Sequence, residues 1–96
     1  MKISYTDDFY EALGEIEDFI ADDSSARART FHKELIKAIN SLTFMPYKCR
    51  KSKLFDDENV RDLIFKGYII PFEITENEIK ILYIFKHNMP KIKDEK

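Results

Sequence analysis

The side chains of this 96-residue chain that could act on a phosphate are one arginine, one histidine and a group of cations. Arg61 could orient a phosphate or a carboxylate of a partner, because a guanidinium group offers several N–H donors and a permanent charge. His87 could act as a general acid–base group or contact a phosphate, since imidazole titrates near neutral pH. The plainer alternatives are an ion pair between Arg61 and a neighbouring carboxylate, and an exposed His87 without a chemical role.

Four cations lie close together in the segment between residues 48 and 53: Lys48, Arg50, Lys51 and Lys53. Such a cluster could bind a polyanion, and each phosphate contact would make the binding more sensitive to salt. The alternative is a solvated loop without a partner. Lys86, at the end of the last predicted strand, is a further cation that could contact a target. Cys49 lies within the cluster, and the neighbouring cations could lower the pKa of its thiol.

No metal site and no cofactor site is expected. Two histidines and one cysteine do not make a closed set of metal ligands. The sequence also lacks the glycine-rich phosphate-binding motifs and the nucleophile elbow. His32 is expected to be solvated on the polar side of a helix. Tyr5, Tyr68 and Tyr83 could stack on bases, although half-buried sheet tyrosines are the commoner case.

The charge is distributed unevenly along the chain, although the net charge is only −2. Residues 1–23 carry eight acids and one base, and residues 24–53 carry eight bases and one acid. A local basic surface can attract a polyanion even when the total charge is slightly negative. Alternatively, the two blocks could neutralise each other across a pair of helices.

Length and composition indicate the general class of the protein. The length predicts a single domain over residues 1–96, and a hydrophobic content of 44% is sufficient for a packed core. A single cysteine is typical of a reducing compartment. The first residues have no apolar core of a signal peptide, and no apolar run approaches the ~18 residues of a membrane span. We therefore expect a cytoplasmic protein.

The elements that would position these residues follow from the spacing of apolar side chains. Residues 2–5 are predicted to form a strand. Apolar residues then recur at intervals of three and four over about 7–21 and 25–43, which predicts two helices joined as an antiparallel hairpin. Three strands are predicted after a connecting segment, over residues 60–65, 68–74 and 79–86. Pro71 lies inside the second of these strands, so we expect a bulge or a position without a partner there.

The order β-α-α-β-β-β predicts an α+β fold. We expect a curved antiparallel sheet with the helix hairpin packed on one face. The strand over residues 79–86 is apolar on both faces, so it is expected to be central in the sheet. The concave side of the sheet, only partly covered, would be available to a partner.

Three segments carry a resemblance to a known family. They are KISYTDDFYEALGEIEDFIADDSSARARTFHKELIKAINSL, VRDLIFKGYIIPFEI and EIKILYIFKHNMP. Together they resemble the RelE/ParE superfamily of toxins from type II toxin–antitoxin systems, in the ParE-like version with a long helix hairpin. The resemblance implies a cognate antitoxin as partner. It also implies one of two targets, since RelE-like members cut mRNA on the ribosome and ParE-like members poison DNA gyrase.

The resemblance assigns roles to individual residues only if the protein is a ribonuclease. Arg61 and His87 match the family's Arg-bearing strand and the His after the last strand, where they would stabilise negative charge and transfer protons. Lysines in the 48–53 region would grip RNA. Ile69, however, stands where the cleaving members carry their catalytic arginine. This departure favours the gyrase branch.

A third interpretation remains open beside the two kinds of toxin. The chain could be a non-toxic module that binds an antitoxin and helps to repress its own operon, contacting operator DNA only through the antitoxin. In each case the basic middle of the chain predicts an antitoxin with an acidic, amphipathic C-terminal segment.

Overall fold

The protein is described here by a computed structural model that covers residues 1–86, and His87 and the following nine residues lie outside the described part. A short strand is followed by two helices, two single 3₁₀ turns and five strands. In chain order these are β1 (Lys2–Tyr5), α1 (Asp7–Asp23), α2 (Ser25–Asn40), the 3₁₀ turns Ser41–Thr43 and Pro46–Lys48, β2 (Arg50–Lys51), β3 (Val60–Phe65), β4 (Tyr68–Ile74), β5 (Glu78–Ile81) and β6 (Phe85–Lys86).

Two hydroxyl side chains fix the ends of the helix hairpin. Thr6 caps α1 by accepting a hydrogen bond from the backbone N–H of Phe9 at 3.0 Å. Ser24 is the single residue between the helices and serves both of them. Its backbone N–H donates to the carbonyl oxygen of Ile20 at 2.9 Å, and its side chain accepts from the N–H of Arg27 at 3.2 Å. The predicted hairpin is confirmed, with a connection shorter than expected.

The hairpin covers one face of the sheet with an entirely apolar set of buried side chains. Residues of α1 and α2 spaced three and four apart pack against alternate residues of β4 and β5. The buried cluster consists of Phe9, Leu13, Phe31, Leu35, Ile39, Leu42, Ile70, Phe72, Ile74, Ile79, Ile81 and Ile84. We call this side of the sheet the helix face. The predicted α+β layering is therefore confirmed. No helix within residues 1–86 is long and apolar enough to cross a membrane.

The sheet has the order β1-β5-β4-β3-β2, and β6 pairs with β4 beside the end of β5. Three consecutive strands form an antiparallel meander, and the two-residue turn at Lys66 and Gly67 has positive φ at both positions (49° and 83°), as a type I′ turn requires. The predicted sheet was wholly antiparallel, and one pair corrects this: β1 runs parallel to β5. A parallel neighbour needs a long crossover, which the helix hairpin supplies.

The last predicted strand, over residues 79–86, is interrupted opposite Pro71. Phe72 pairs with Ile81 whereas Ile69 pairs with Phe85, so two residues of β4 face three residues between β5 and β6. This is a β-bulge with one extra residue. The Leu82 N–H donates to the Pro71 carbonyl at 2.9 Å, which places the missing N–H of the proline on the bulged side. The sequence predicted a bulge in the strand that contains Pro71, and the bulge lies instead on the neighbouring strand, opposite Pro71.

The bulge also reverses which side chains are buried after Ile81. Alternation from Ile79 and Ile81 predicted that Tyr83 would share their face. Instead Ile84 is buried in the helix-face core and Tyr83 is exposed. The carbonyl of Leu82, within the bulge, accepts a hydrogen bond from the Thr6 hydroxyl at 2.8 Å. The same threonine thus caps α1 and ties it to the irregular part of the sheet.

Candidate target-binding surface

The face of the sheet opposite the hairpin, which we call the open face, carries the position at which the cleaving members of the superfamily have their catalytic arginine. Side chains of β3 and β4 that alternate with the core residues point to this side. Four of them are buried: Val60, Asp62, Ile69 and Pro71. Ile69, at the position of the cleaving branch's arginine, is only 6% exposed. The open face is therefore more apolar at its centre than a phosphate-binding surface would be.

Asp62 is a buried carboxylate on the open face, with 3% of the residue exposed. Its Oδ2 accepts from Nε of Arg50 at 3.3 Å and lies 3.2 Å from Nη2 of the same side chain. The backbone N–H of Lys53 lies 3.5 Å from this oxygen. Oδ1 is also buried and has no hydrogen-bond partner among residues 1–86. Asp62 thus largely neutralises the charge of Arg50 within the fold.

Arg61 points away from Asp62 and is held by backbone carbonyls. Its Nε donates to the carbonyl of Glu58 at 3.1 Å and its Nη1 to the carbonyl of Cys49 at 3.2 Å. The guanidinium carbon also lies 4.9 Å from the centre of the Tyr47 ring. These contacts attach the connection before β3 to the sheet. The alternative ion pair of Arg61 with a neighbouring carboxylate is not formed within residues 1–86.

Cys49 corrects one expectation from the sequence. Its partial burial raises the pKa of the thiol, and the Arg61 charge, which lowers it, does not compensate; Asp62 raises it further. The sequence suggested a lowered pKa because four cations lie nearby. Side chains of the cluster, however, are directed to solvent or to Asp62, whereas the thiol packs against the helix-face core. An unreactive thiol is expected at neutral pH.

The predicted basic cluster is distributed over several environments. Arg50 is paired with Asp62, and Lys51 lies 4.0 Å from Glu58 with both side chains exposed. Lys48 and Lys53 are exposed and form no salt bridge within residues 1–86. Two of the four predicted cations thus remain available to a partner.

Lys86 belongs to a different surface. It lies on β6, which pairs with β4 on the side opposite β3 and β2. Its ammonium group lies 5.3 Å from the centre of the Tyr68 ring. Together with Tyr83 and Phe19 it lines a groove between α1 and the sheet. The exposure of Phe19, at 76%, was not predicted, because helical spacing assigned this residue to the buried stripe.

The acidic and basic blocks do not neutralise each other across the hairpin. Within residues 1–86, the two side-chain contacts between acidic and basic residues of the two helices are the local pair of Arg27 with Asp23 and a contact of His32 Nδ1 with Glu17 Oε2 at 2.5 Å. His32 was expected to be solvated only; it is exposed and also links the helices. Arg29, Lys33 and Lys37 on α2 form no salt bridge within the described residues. No group of three or more potential metal ligands comes together within the same residues.

Comparisons with known proteins agree with the fold described above. The family model described as "ParE toxin of type II toxin-antitoxin system, parDE" matches residues 3–90. A solved structure described as "Chromosomal ParDE TA system from P. aeruginosa" shares the fold, with a TM-score of 0.72 and 19% sequence identity over 90% of this chain and 95% of that chain. No curated protein matches the chain. The predicted resemblance is confirmed, and the chain belongs to the ParE toxin family of type II toxin–antitoxin systems.

Proposed function

We propose that this ParE-like toxin acts by inhibiting DNA gyrase and is not a ribosome-dependent mRNA endonuclease. The observation that carries the proposal is Ile69, a buried apolar side chain at the position of the cleaving branch's catalytic arginine. Cleavage of a phosphodiester builds up negative charge in the transition state, and an aliphatic side chain cannot stabilise it.

The neighbouring charges support the same proposal. Arg50 is paired with Asp62, and Arg61 donates to two backbone carbonyls, so both guanidinium groups already have partners within the fold. Asp62 adds a carboxylate to the open face, and like charges repel most strongly where water is excluded. His87, the predicted general acid–base group, lies outside the described residues.

Membership of the family implies a cognate antitoxin as partner. We further propose that the antitoxin, and not this chain, makes the contacts with operator DNA, and that the toxin acts in the cytoplasm, where its proposed target is found. The predicted target-binding cations that remain exposed are Lys48, Lys51, Lys53 and Lys86, and of these Lys51 lies 4.0 Å from Glu58.

Two measurements test the proposal together. Purified protein is added to gyrase in a DNA supercoiling assay, and transcript 5′ ends are mapped minutes after induction in a bacterial host. We expect loss of supercoiling and no new cuts at in-frame codon positions. New in-frame cuts would show a ribosome-dependent ribonuclease, and unimpaired growth with active gyrase would leave the non-toxic antitoxin-binding module.

A double variant, Arg61→Ala with His87→Ala, tests whether the two candidate ribonuclease residues have a catalytic role. We expect gyrase inhibition by the double variant within about twofold of the unchanged protein, provided that circular dichroism shows a folded chain, because neither residue then acts on a phosphate. A loss of toxicity with retained antitoxin binding would instead assign these residues a direct role.

A further inference from the structure

The side of the helix hairpin that faces away from the sheet, which we call the outer face, carries two rows of exposed charge. The acidic row, on α1, consists of Glu11, Glu15, Asp18 and Asp22, and the basic row, on α2, consists of Arg29, Lys33 and Lys37. Residues two positions apart point in directions about 200° apart around a helix. Glu15 lies two positions from the buried Leu13 and therefore points away from the core. Lys33 has the same relation to Leu35.

The two rows are not neutralised within the fold. Three pairs of opposite charge involve the helices: Asp23 with Arg27, Glu17 with His32, and Glu34 with Lys66. No residue of either row forms a salt bridge within residues 1–86. The rows thus lie side by side on adjacent helices, whose axes are typically about 8–10 Å apart. A surface with unpaired acids on one half and unpaired bases on the other is complementary to a copy of itself.

The contact of Glu17 with His32 shows how the rows are aligned along the hairpin. Counting one residue along each antiparallel helix from this contact places Lys33 level with Ile16, one residue from Glu15. The same count places the other two bases at the level of acids: Lys37 one residue from Glu11, and Arg29 between Asp18 and Asp22. One residue is about 1.5 Å along the axis, so each base lies within about 3 Å of the level of an acid.

A two-fold axis along the seam between the helices would exchange the two rows and keep these levels. The outer faces of two copies then meet, with α1 of each copy above α2 of the other and antiparallel to it. Each base of the row faces acids of the other copy, and every contact occurs twice. An axis across the helices would instead place acid on acid and base on base. The charges therefore select one arrangement of the two copies.

Gly14 is an exposed residue in the middle of α1, and the fold of a single copy does not explain its small size. A Cβ atom added there would meet nothing within 4 Å, although glycine weakens a helix relative to alanine. Ile36, half-buried on α2, lies one residue from the same level and lines a groove with Arg29 and Lys33. In the two-fold arrangement, Ile36 of each copy lies above Gly14 of the other, where the absent side chain leaves room.

We propose that the outer face of the hairpin is the interface of a homodimer, in which the acidic row of each copy binds the basic row of the other. The dimer is layered as sheet, hairpin, hairpin and sheet, so both open faces remain outside. It depends on neither the proposed target nor the antitoxin. Helices of 16 and 17 residues give a contact face about 25 Å long and about 20 Å wide. This is at the small end of specific interfaces, so we expect a dissociation constant of about 10–100 μM.

A polyanion fits the outer face less well than a second copy does. A nucleic acid or an acidic peptide on the basic row would also approach the acidic row on the adjacent helix, where like charges repel. The two rows together hold four acids and three bases, so the face has no excess of positive charge. A second copy, in contrast, offers each row the opposite charge.

Sedimentation velocity of the full chain tests the proposal over concentrations from about 1 μM to about 1 mM. We expect a reversible change from monomer to dimer that moves to higher concentration as salt rises, because exposed charges are screened. A monomer at all concentrations, or species that grow beyond a dimer, would overturn the proposal.

Charge reversal identifies the contact. Lys33→Glu should weaken dimerisation by about tenfold or more, because the new carboxylate faces Glu15 of the other copy twice in the dimer. Adding Glu15→Lys to the same chain should restore dimerisation, since the pair is then reversed. Lys2→Glu is the matched control, because Lys2 is exposed on β1 and the net charge changes equally; it should alter dimerisation by less than about twofold. A double variant as weak as Lys33→Glu would contradict the pairing.

Two complementary chains give a sharper form of this test. One chain carries Lys33→Glu with Lys37→Glu, and the other carries Glu11→Lys with Glu15→Lys. Each should be monomeric alone, because both of its rows then have largely the same sign, and the mixture should form a heterodimer. These side chains are exposed, so both chains should fold, which circular dichroism checks. A mixture that stays monomeric would refute the proposed interface.

Gly14→Gln separates the interface from the fold. Glutamine favours a helix over glycine and meets no neighbour within one copy, so the melting temperature of the dilute monomer should rise. Dimerisation should nevertheless weaken by about tenfold, because the side chain occupies the space of Ile36. Unchanged dimerisation would contradict the close approach at Gly14. A short duplex DNA is added to the same preparations: if it binds a chain that does not dimerise, and Lys33→Glu abolishes this binding, the basic row is a nucleic-acid surface and the proposal is wrong.

Discussion

The two faces of the sheet are both buried at their centres, but by different chemistry. On the helix face, Ile70 and Phe72 of β4 pack among apolar residues of both helices. On the open face, β4 contributes Ile69 and Pro71, and the adjacent strand contributes the carboxylate of Asp62. The helix face gains its stability from the removal of apolar surface from water, which is not directional. The open face combines buried apolar side chains with one directional ion pair, between Arg50 and Asp62.

The largest effect is expected on the helix face. Phe72→Ala should lower the free energy of unfolding by about 4 kcal/mol, because a fully buried aromatic side chain leaves a cavity in a packed core. Urea unfolding followed by circular dichroism measures this loss. Ile64→Ala, on the exposed part of the open face, is the control and should change stability by less than about 1 kcal/mol. Similar losses for the two variants would contradict the difference between the faces.

An intermediate effect is expected from the ion pair of the open face. Asp62→Ala should destabilise the protein by about 2 kcal/mol, because the partly buried Arg50 loses the carboxylate that neutralises it. A double-mutant cycle with Arg50→Ala isolates the pair: removal of Arg50 should matter less once Asp62 is absent. Additive losses in urea unfolding would show that the two side chains do not depend on each other.

A smaller effect is expected where α1 is attached to the bulge. Thr6→Val removes both the cap acceptor for Phe9 and the donor to Leu82, and should destabilise the protein by about 1–2 kcal/mol. Thr6→Ser keeps the hydroxyl and should retain most of the stability. The two variants are compared by thermal melting. If serine fails to restore stability, the methyl group and not the hydroxyl is responsible.

The smallest effect concerns the half-buried thiol of Cys49, which is influenced by the charges of Arg61 and Asp62. Because burial raises the pKa of Cys49, the thiolate should form only at alkaline pH, and alkylation by iodoacetamide should be slow near neutrality. Arg61→Ala removes a charge that lowers this pKa and should slow the reaction further, whereas Asp62→Asn should accelerate it. The pH dependence of alkylation rates checks both directions. Faster alkylation of the Arg61 variant would contradict the contact with this region.

The same pKa shift has a consequence for stability. A thiol whose pKa is raised in the folded state holds its proton more tightly there than in the unfolded state. Stability from Cys49 should therefore be complete below the pKa of the unfolded thiol and decrease as the pH rises above it. Cys49→Ser should reduce this alkaline loss in urea titrations.

The hairpin could be predicted from the sequence because its signals are local. Apolar residues at intervals of three and four define both helices, and Thr6 and Ser24 are hydroxyl caps at their starts. The bulge at Leu82 was harder to place. Residues 79–86 are apolar on both faces, so a shift by one residue leaves the pattern almost unchanged. Pro71 signalled an irregularity but not which strand would carry it.

Some functional residues could be predicted from the sequence and others could not, for similar reasons. The departure at Ile69 was visible from the family resemblance alone. The pair of Arg50 with Asp62 depends on the register of β2, which has two residues and therefore no periodicity of its own. A signal was nevertheless present, since Asp62 is a charged residue between Val60 and Ile64 on one face of a predicted strand.

The parallel pairing of β1 with β5 has a consequence for how the protein is made. Thr6 and Leu82, hydrogen-bonded at this junction, are 76 positions apart, so the first strand cannot find its neighbour until β5 has been synthesised. The hairpin, with its one-residue connection, can form much earlier. A nascent chain should therefore pass through a stage with folded helices and an unpaired first strand.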